Sequence, residues 1–136
     1  MSNPVFDNVS NPYHYNAKGE MENGRSKYEP IKVIEKWGFG YGFCMGNALK
    51  YILRAPYKGS EHTDIEKALW YLERANDFLA VHGGKKELCK QDDTCEGIDV
   101  VEAWDIEGDL AIAVEYIGLH NPRDAAQALK DYLKTY

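Results

Sequence analysis

Apolar residues in this chain recur every three or four positions, and glycine and proline cut the runs short, so the pattern favours a set of brief amphipathic helices. Ile31, Ile34 and Trp37 make a first run, opened by Pro30 and stopped at Gly38. Phe43, Ala48, Leu49, Ile52 and Ala55 make a second, after the glycine-rich Gly38–Phe43 break, and Pro56 ends it. Thr63-Asp64-Ile65-Glu66 reads as a capping box that opens a long helix to about Val81. Val100, Val101 and Trp104 form a short segment, and Leu110, Ala113, Val114 and Ile117 another that stops at Gly118. Asn121 and Pro122 supply a cap and a first-turn proline for a last helix to about Leu133. No segment reads convincingly as a strand. The expected fold is therefore a single all-α domain of five or six helices over residues 28–136, with an irregular arm over 1–27 and an acidic linker over 82–97.

Composition narrows the classes of function. The 136 residues are 44% hydrophobic and 28% charged, as expected for a compact globular domain. A net charge of −6 argues against a general nucleic-acid coat, because the summed field repels polyphosphate. Cys44, Cys89 and Cys95 are too few for a disulfide framework, which fits a reducing cytoplasm. No apolar run approaches the roughly 18 residues of a membrane helix, and the start of the chain lacks the pattern of a signal peptide, so a cytoplasmic protein with no membrane partner is expected.

The order short helix, middle helix, long helix is written twice. Val33-Ile34-Glu35-Lys36-Trp37 matches Val100-Val101-Glu102-Ala103-Trp104, Lys50-Tyr51-Ile52 matches Glu115-Tyr116-Ile117, and Asp64 with Ala68-Leu69 matches Asp124 with Ala128-Leu129. Residues 98–136 thus read as a degenerate second copy of the first unit. The halves differ in charge. Between Arg25 and Lys58 seven bases face two acids, whereas between Glu87 and Asp124 eleven acids face two bases. Asn47, Lys50 and Arg54 fall at helical steps of three and four, so they share one face suited to phosphate: a guanidinium fork, a mobile ammonium and an amide. At the offset of the second copy Lys50 and Arg54 become Glu115 and Leu119, so the helix itself does not require the two cations.

Other chemistries leave weaker traces. There is no Walker loop, and Gly38, Gly40, Gly42 and Gly46 do not match the dinucleotide fingerprint. Cys89 and Cys95 have the wrong spacing for a zinc knuckle, and no serine, histidine and acid grouping suggests a hydrolytic triad. Glu61 with Asp64, and Glu102 with Asp105, are carboxylate pairs one helical turn apart, a weak signal for magnesium.

Asn11-Pro-Tyr-His14-Tyr15, Glu29-Pro30-Ile-x-Val-Ile-Glu35, Phe43-Cys-Met-Gly46-Asn47-Ala48-Leu-Lys50-Tyr51-Ile-x-Arg54-Ala55 and Asp64-x-x-Lys67-Ala68-x-x-Tyr71-Leu72 together resemble a small bacteriophage family over roughly residues 11–80. That family is catalogued as of unknown function or as nucleotide kinase-like, after an early phage protein that phosphorylates deoxynucleoside monophosphates without a Walker loop. The resemblance implies phage origin, action in the host cytoplasm and the handling of nucleotides, with ATP and Mg²⁺ as cofactors if phosphate is transferred. In that reading Lys50 and Arg54 are the catalytic cations, His14, Tyr15, Asn47 and Lys58 bind substrate, and Glu35 and Asp64 reach the metal. A homo-oligomer is expected. Two rivals share parts of the pattern: a binder that sequesters a nucleotide without turning it over, and an acidic adaptor that inhibits a host protein.

Overall fold

The computed structural model describes residues 19–57, 59–83 and 94–135. Among them lie β1 (Met21–Glu22), β2 (Arg25–Ser26), α1 (Pro30–Lys36), α2 (Gly40–Arg54), α3 (Glu61–His82), α4 (Gly97–Ala103), α5 (Gly108–Gly118) and α6 (Pro122–Thr135). A 3-10 turn, Ala55–Tyr57, follows α2 where Pro56 stops it. The fold is all-α, with one departure inside the expected irregular arm. Asn23 and Gly24 take φ of 53° and 78°, the backbone of a type I′ turn, and pair Met21 with Ser26 and Glu22 with Arg25. The Asn-Gly dipeptide was the legible sign, but strands of two residues are too short to show alternation.

Two helix starts also differ from the expectation. The second helix begins at Gly40 rather than Phe43, within the glycine cluster that reads as a break. Here the glycine permits a close crossing: a Cβ on Gly40 would lie 2.7 Å from Glu35 Cγ and 3.2 Å from Glu35 Cα. Buried Tyr41 then anchors the first turn. The capping box at Thr63 does not form, because α3 begins three residues earlier, with Ser60 at its N-cap. Ser60 Oγ donates to Asp64 Oδ2 at 3.3 Å. A reciprocal box occurs instead at Glu96 and Asp99, ahead of α4.

One apolar cluster draws on both halves: Ile52, Ile65, Ala68 and Leu72 meet Ala113, Val114, Ala125 and Leu129. Helix α2 runs antiparallel to α3, with Arg54 beside Asp64 at one end and Tyr41 beside Phe78 at the other. Helix α6 likewise opposes α3, since Tyr132 near its end donates to Glu61 at the start of α3 at 2.6 Å. The ends of α1 and α4 share one backbone device. Phe39 N–H bonds Ile34 O at 3.0 Å and Ile106 N–H bonds Val101 O at 2.9 Å, with Gly38 and Asp105 between them at φ of 89° and 52°. Trp37 and Trp104 occupy the two C-caps. The repeated sequence pattern thus coincides with a repeated local geometry.

Candidate functional site

The face shared by α2 and α3 gathers the unbalanced positive charge. Phe43, Asn47, Lys50 and Arg54 follow one stripe along α2, and Lys67, Tyr71, Arg74 and Phe78 follow one along α3, each at steps of four, three and four. Because the helices are antiparallel, the end of the first stripe meets the start of the second. Lys50 Nζ, Arg54 Cζ and Lys67 Nζ lie 5.0, 5.1 and 5.6 Å from the centroid of the Tyr51 ring. A cation over an aromatic face gains about 0.5–1 kcal/mol, which does not offset the mutual repulsion of three like charges in so small a volume.

Counter-charge is scarce there. Asp64, almost fully buried, places Oδ2 3.6 Å from Arg54 Nε, close enough for attraction but too long for a hydrogen bond. Arg54 Nε is itself buried without a hydrogen-bond partner among the described residues. Neither Lys50 nor Lys67 has a carboxylate within ion-pair reach among them. Three other bases of this half are engaged: Arg25 forks onto Glu29 at 2.9 Å, Lys32 Nζ approaches the same carboxylate at 3.4 Å, and Lys27 pairs with Glu20 at 3.1 Å. A site with three cations and, among the described residues, one carboxylate within ion-pair reach is suited to a compact dianion.

Tyr51 stacks on Tyr71 at 5.9 Å and 13°, and Tyr71 meets Trp70 edge-on at 5.1 Å and Phe43 at 5.8 Å. Arg74 lies 5.9 Å over Trp70 and forks onto Glu35, with Nε and Nη2 donating at 2.8 and 2.7 Å. The hydrogen bond to Glu35 is the main reason the Arg74 pKa rises further. Beneath this pair sits Cys44, whose thiol is pushed up to about 12 by burial and then by the Glu35 charge, with Arg74 pulling the other way. Such a thiol is inert.

The sequence-predicted residues separate into three groups. Lys50 and Arg54 are brought together. Asn47 stands on the same stripe, but its amide donates to Phe43 O of its own helix at 2.8 Å, leaving its carbonyl oxygen and second N–H outward. Glu35 and Asp64 are not brought together: each carboxylate faces an arginine, at opposite ends of the helix pair. Among the described residues no three His, Cys, Asp or Glu side chains lie where they could hold a metal. Glu35 and Asp64, so separated, do not make one carboxylate pair between them. His14, Tyr15 and Lys58 lie outside the described residues. Lys67 is the member of the cation cluster that spacing within one helix missed, since only the packing of α3 on α2 carries it to Tyr51. On the second half the corresponding positions, Glu115 and Leu119, carry no cation.

Residues 9–73 match the model of a family described as a protein of unknown function, DUF3310. The match contains Asn47, Lys50, Arg54, Asp64 and Lys67. No curated protein and no solved structure matches the chain. Among the described residues no helix is long and apolar enough to cross a membrane.

Proposed function

We propose that the α2–α3 face binds the phosphate end of a mononucleotide. The observation that carries this reading is the convergence of Lys50, Arg54 and Lys67 on the Tyr51 ring, with Asp64 the one carboxylate in ion-pair reach of them among the described residues. Net charge complements it: at −6 the molecule repels long polyanions, while a small ligand feels mainly the local excess. Arg54 supplies the directional fork, Lys50 and Lys67 the mobile point charges, and buried Asp64 holds the guanidinium in place. The same three cations suit the charge that develops on phosphoryl oxygens, so the resemblance to a nucleotide kinase-like family extends the proposal to phosphate transfer onto a (deoxy)nucleoside monophosphate.

Calorimetric titration with each deoxynucleoside monophosphate tests the binding. Lys50→Ala and Lys67→Ala remove exposed or half-exposed side chains, and each weakens the complex about tenfold, the worth of one charge-assisted hydrogen bond. Unchanged affinity in both variants overturns the reading. Adding ATP and Mg²⁺ and following diphosphate formation separates a transferase from a binder.

A further inference from the structure

We propose that the bare patch of helix at Gly46, beside the cation cluster, receives the heteroaromatic base of that nucleotide, and that Asn47 reads the edge of the base. The inference rests on the phosphate reading and deepens it. Gly46 sits inside the 15-residue helix α2, where glycine is the least favourable residue after proline. Its φ is not positive, so no special backbone conformation calls for a glycine. Packing does not call for one either: a Cβ at Gly46 would meet nothing within 4 Å among the described residues. Asparagine, too, disfavours a helix interior. The second unit supplies the control. At the offset that aligns Lys50 with Glu115, Gly46 and Asn47 become Ala111 and Ile112, and α5 forms with neither glycine nor asparagine there. Like Lys50 and Arg54, these two residues are not needed to build the helix.

The glycine leaves a flat stretch of helix surface with Phe43, Asn47 and Lys50 around it. Where a side chain is missing, a planar ligand can approach the backbone closely. Asn47 is fixed at the border of that patch. Its Nδ2 donates to Phe43 O at 2.8 Å, which sets the amide plane and leaves the carbonyl oxygen as an acceptor and the second N–H as a donor, the pair that complements a base edge. Phe43, 36% exposed and held by Tyr71 at 5.8 Å, stands at the far side. Reach agrees with this placement. Asn47 and Gly46 stand four and five residues before Tyr51, the ring on which Lys50, Arg54 and Lys67 converge, a rise of about 6 and 7.5 Å along α2. That is close to the distance from the phosphorus of a mononucleotide to the middle of its base.

The test compares nucleoside 5′-monophosphates with ribose 5-phosphate, which keeps the anion and lacks the base, by calorimetric titration. The parent is expected to bind the nucleotides about tenfold more tightly, and equal affinity overturns the base assignment. Gly46→Ala and Asn47→Ala both favour the helix, so both raise the thermal midpoint. The added methyl of Gly46→Ala weakens nucleotide binding about tenfold, and loss of the amide in Asn47→Ala weakens it several-fold, while ribose 5-phosphate binds each variant as it binds the parent. A purely structural role does not produce a gain in stability together with a loss confined to the ligand that carries a base. Nucleotide affinity unchanged in either variant, or an equal loss for both ligands, overturns the assignment. Lys50→Ala distinguishes the two levels: it weakens both ligands if the phosphate reading holds, and if it weakens neither, that reading fails first.

Discussion

Glu29 shows how much one buried charge organises. It is about 2% exposed, held by the Arg25 fork and by Lys32, and it ties the hairpin to the first turn of α1. Arg25→Ala removes the two-toothed partner of that carboxylate and is expected to cost about 2 kcal/mol, measured by urea unfolding. Cys44 makes a prediction in pH. Unfolded, its thiol ionises near 9.0; folded, it keeps its proton to about 12. Above pH 9 the unfolded chain therefore sheds a proton that the folded protein retains. Stability present in full below that pH is lost as pH rises toward 12, at up to about 1.4 kcal/mol per unit from this group. Tyr41, raised by burial, acts in the same direction. Unfolding curves at pH 8 and pH 10.5 should show the loss, and a Cys44→Ala variant a shallower one. Alkylation at pH 8 should label exposed Cys95 and spare Cys44.

At the scale of elements, helix existence was readable from period and punctuation, while helix starts were not. The glycines before Phe43 read as a break because glycine lowers helix propensity, yet α2 uses Gly40 as the point where α1 crosses it. Gly40→Ala should destabilise the protein by about 1–3 kcal/mol and disturb the Glu35–Arg74 fork, seen as a lowered midpoint in thermal unfolding. Thr63 looked like a cap because hydroxyl and carboxylate stood three apart, but buried Asp64 is drawn inward by Arg54, and the start moves to Ser60. The caps after α1 and α4 make the opposite case. Gly38 is suited to its left-handed backbone, and Asp105 holds the same conformation with a side chain. Asp105→Gly should raise stability by about 0.5–1 kcal/mol in urea unfolding.

For the whole molecule, charge is divided rather than mixed, with the basic excess on the α2–α3 face and the acids in the second half. An acidic cavity of about 330 Å³, lined in part by Glu61, Asp105, Glu107 and Asp109, lies near the start of α5. Binding at the basic face should be electrostatic, so affinity for a mononucleotide should fall several-fold between about 0.05 and 0.2 M salt. Titration in the two buffers checks this, and a flat response would count against a charge-driven site.

Local chemistry determined that this chain is helical, where its helices stop and which helix face carries Asn47, Lys50 and Arg54, because period, proline and glycine act over a few residues. Only tertiary packing decided that Lys67 completes the cation cluster and that Glu35 and Asp64 answer arginines. Those facts depend on α3 returning antiparallel to α2, and contacts between residues far apart in sequence leave no local periodicity to read.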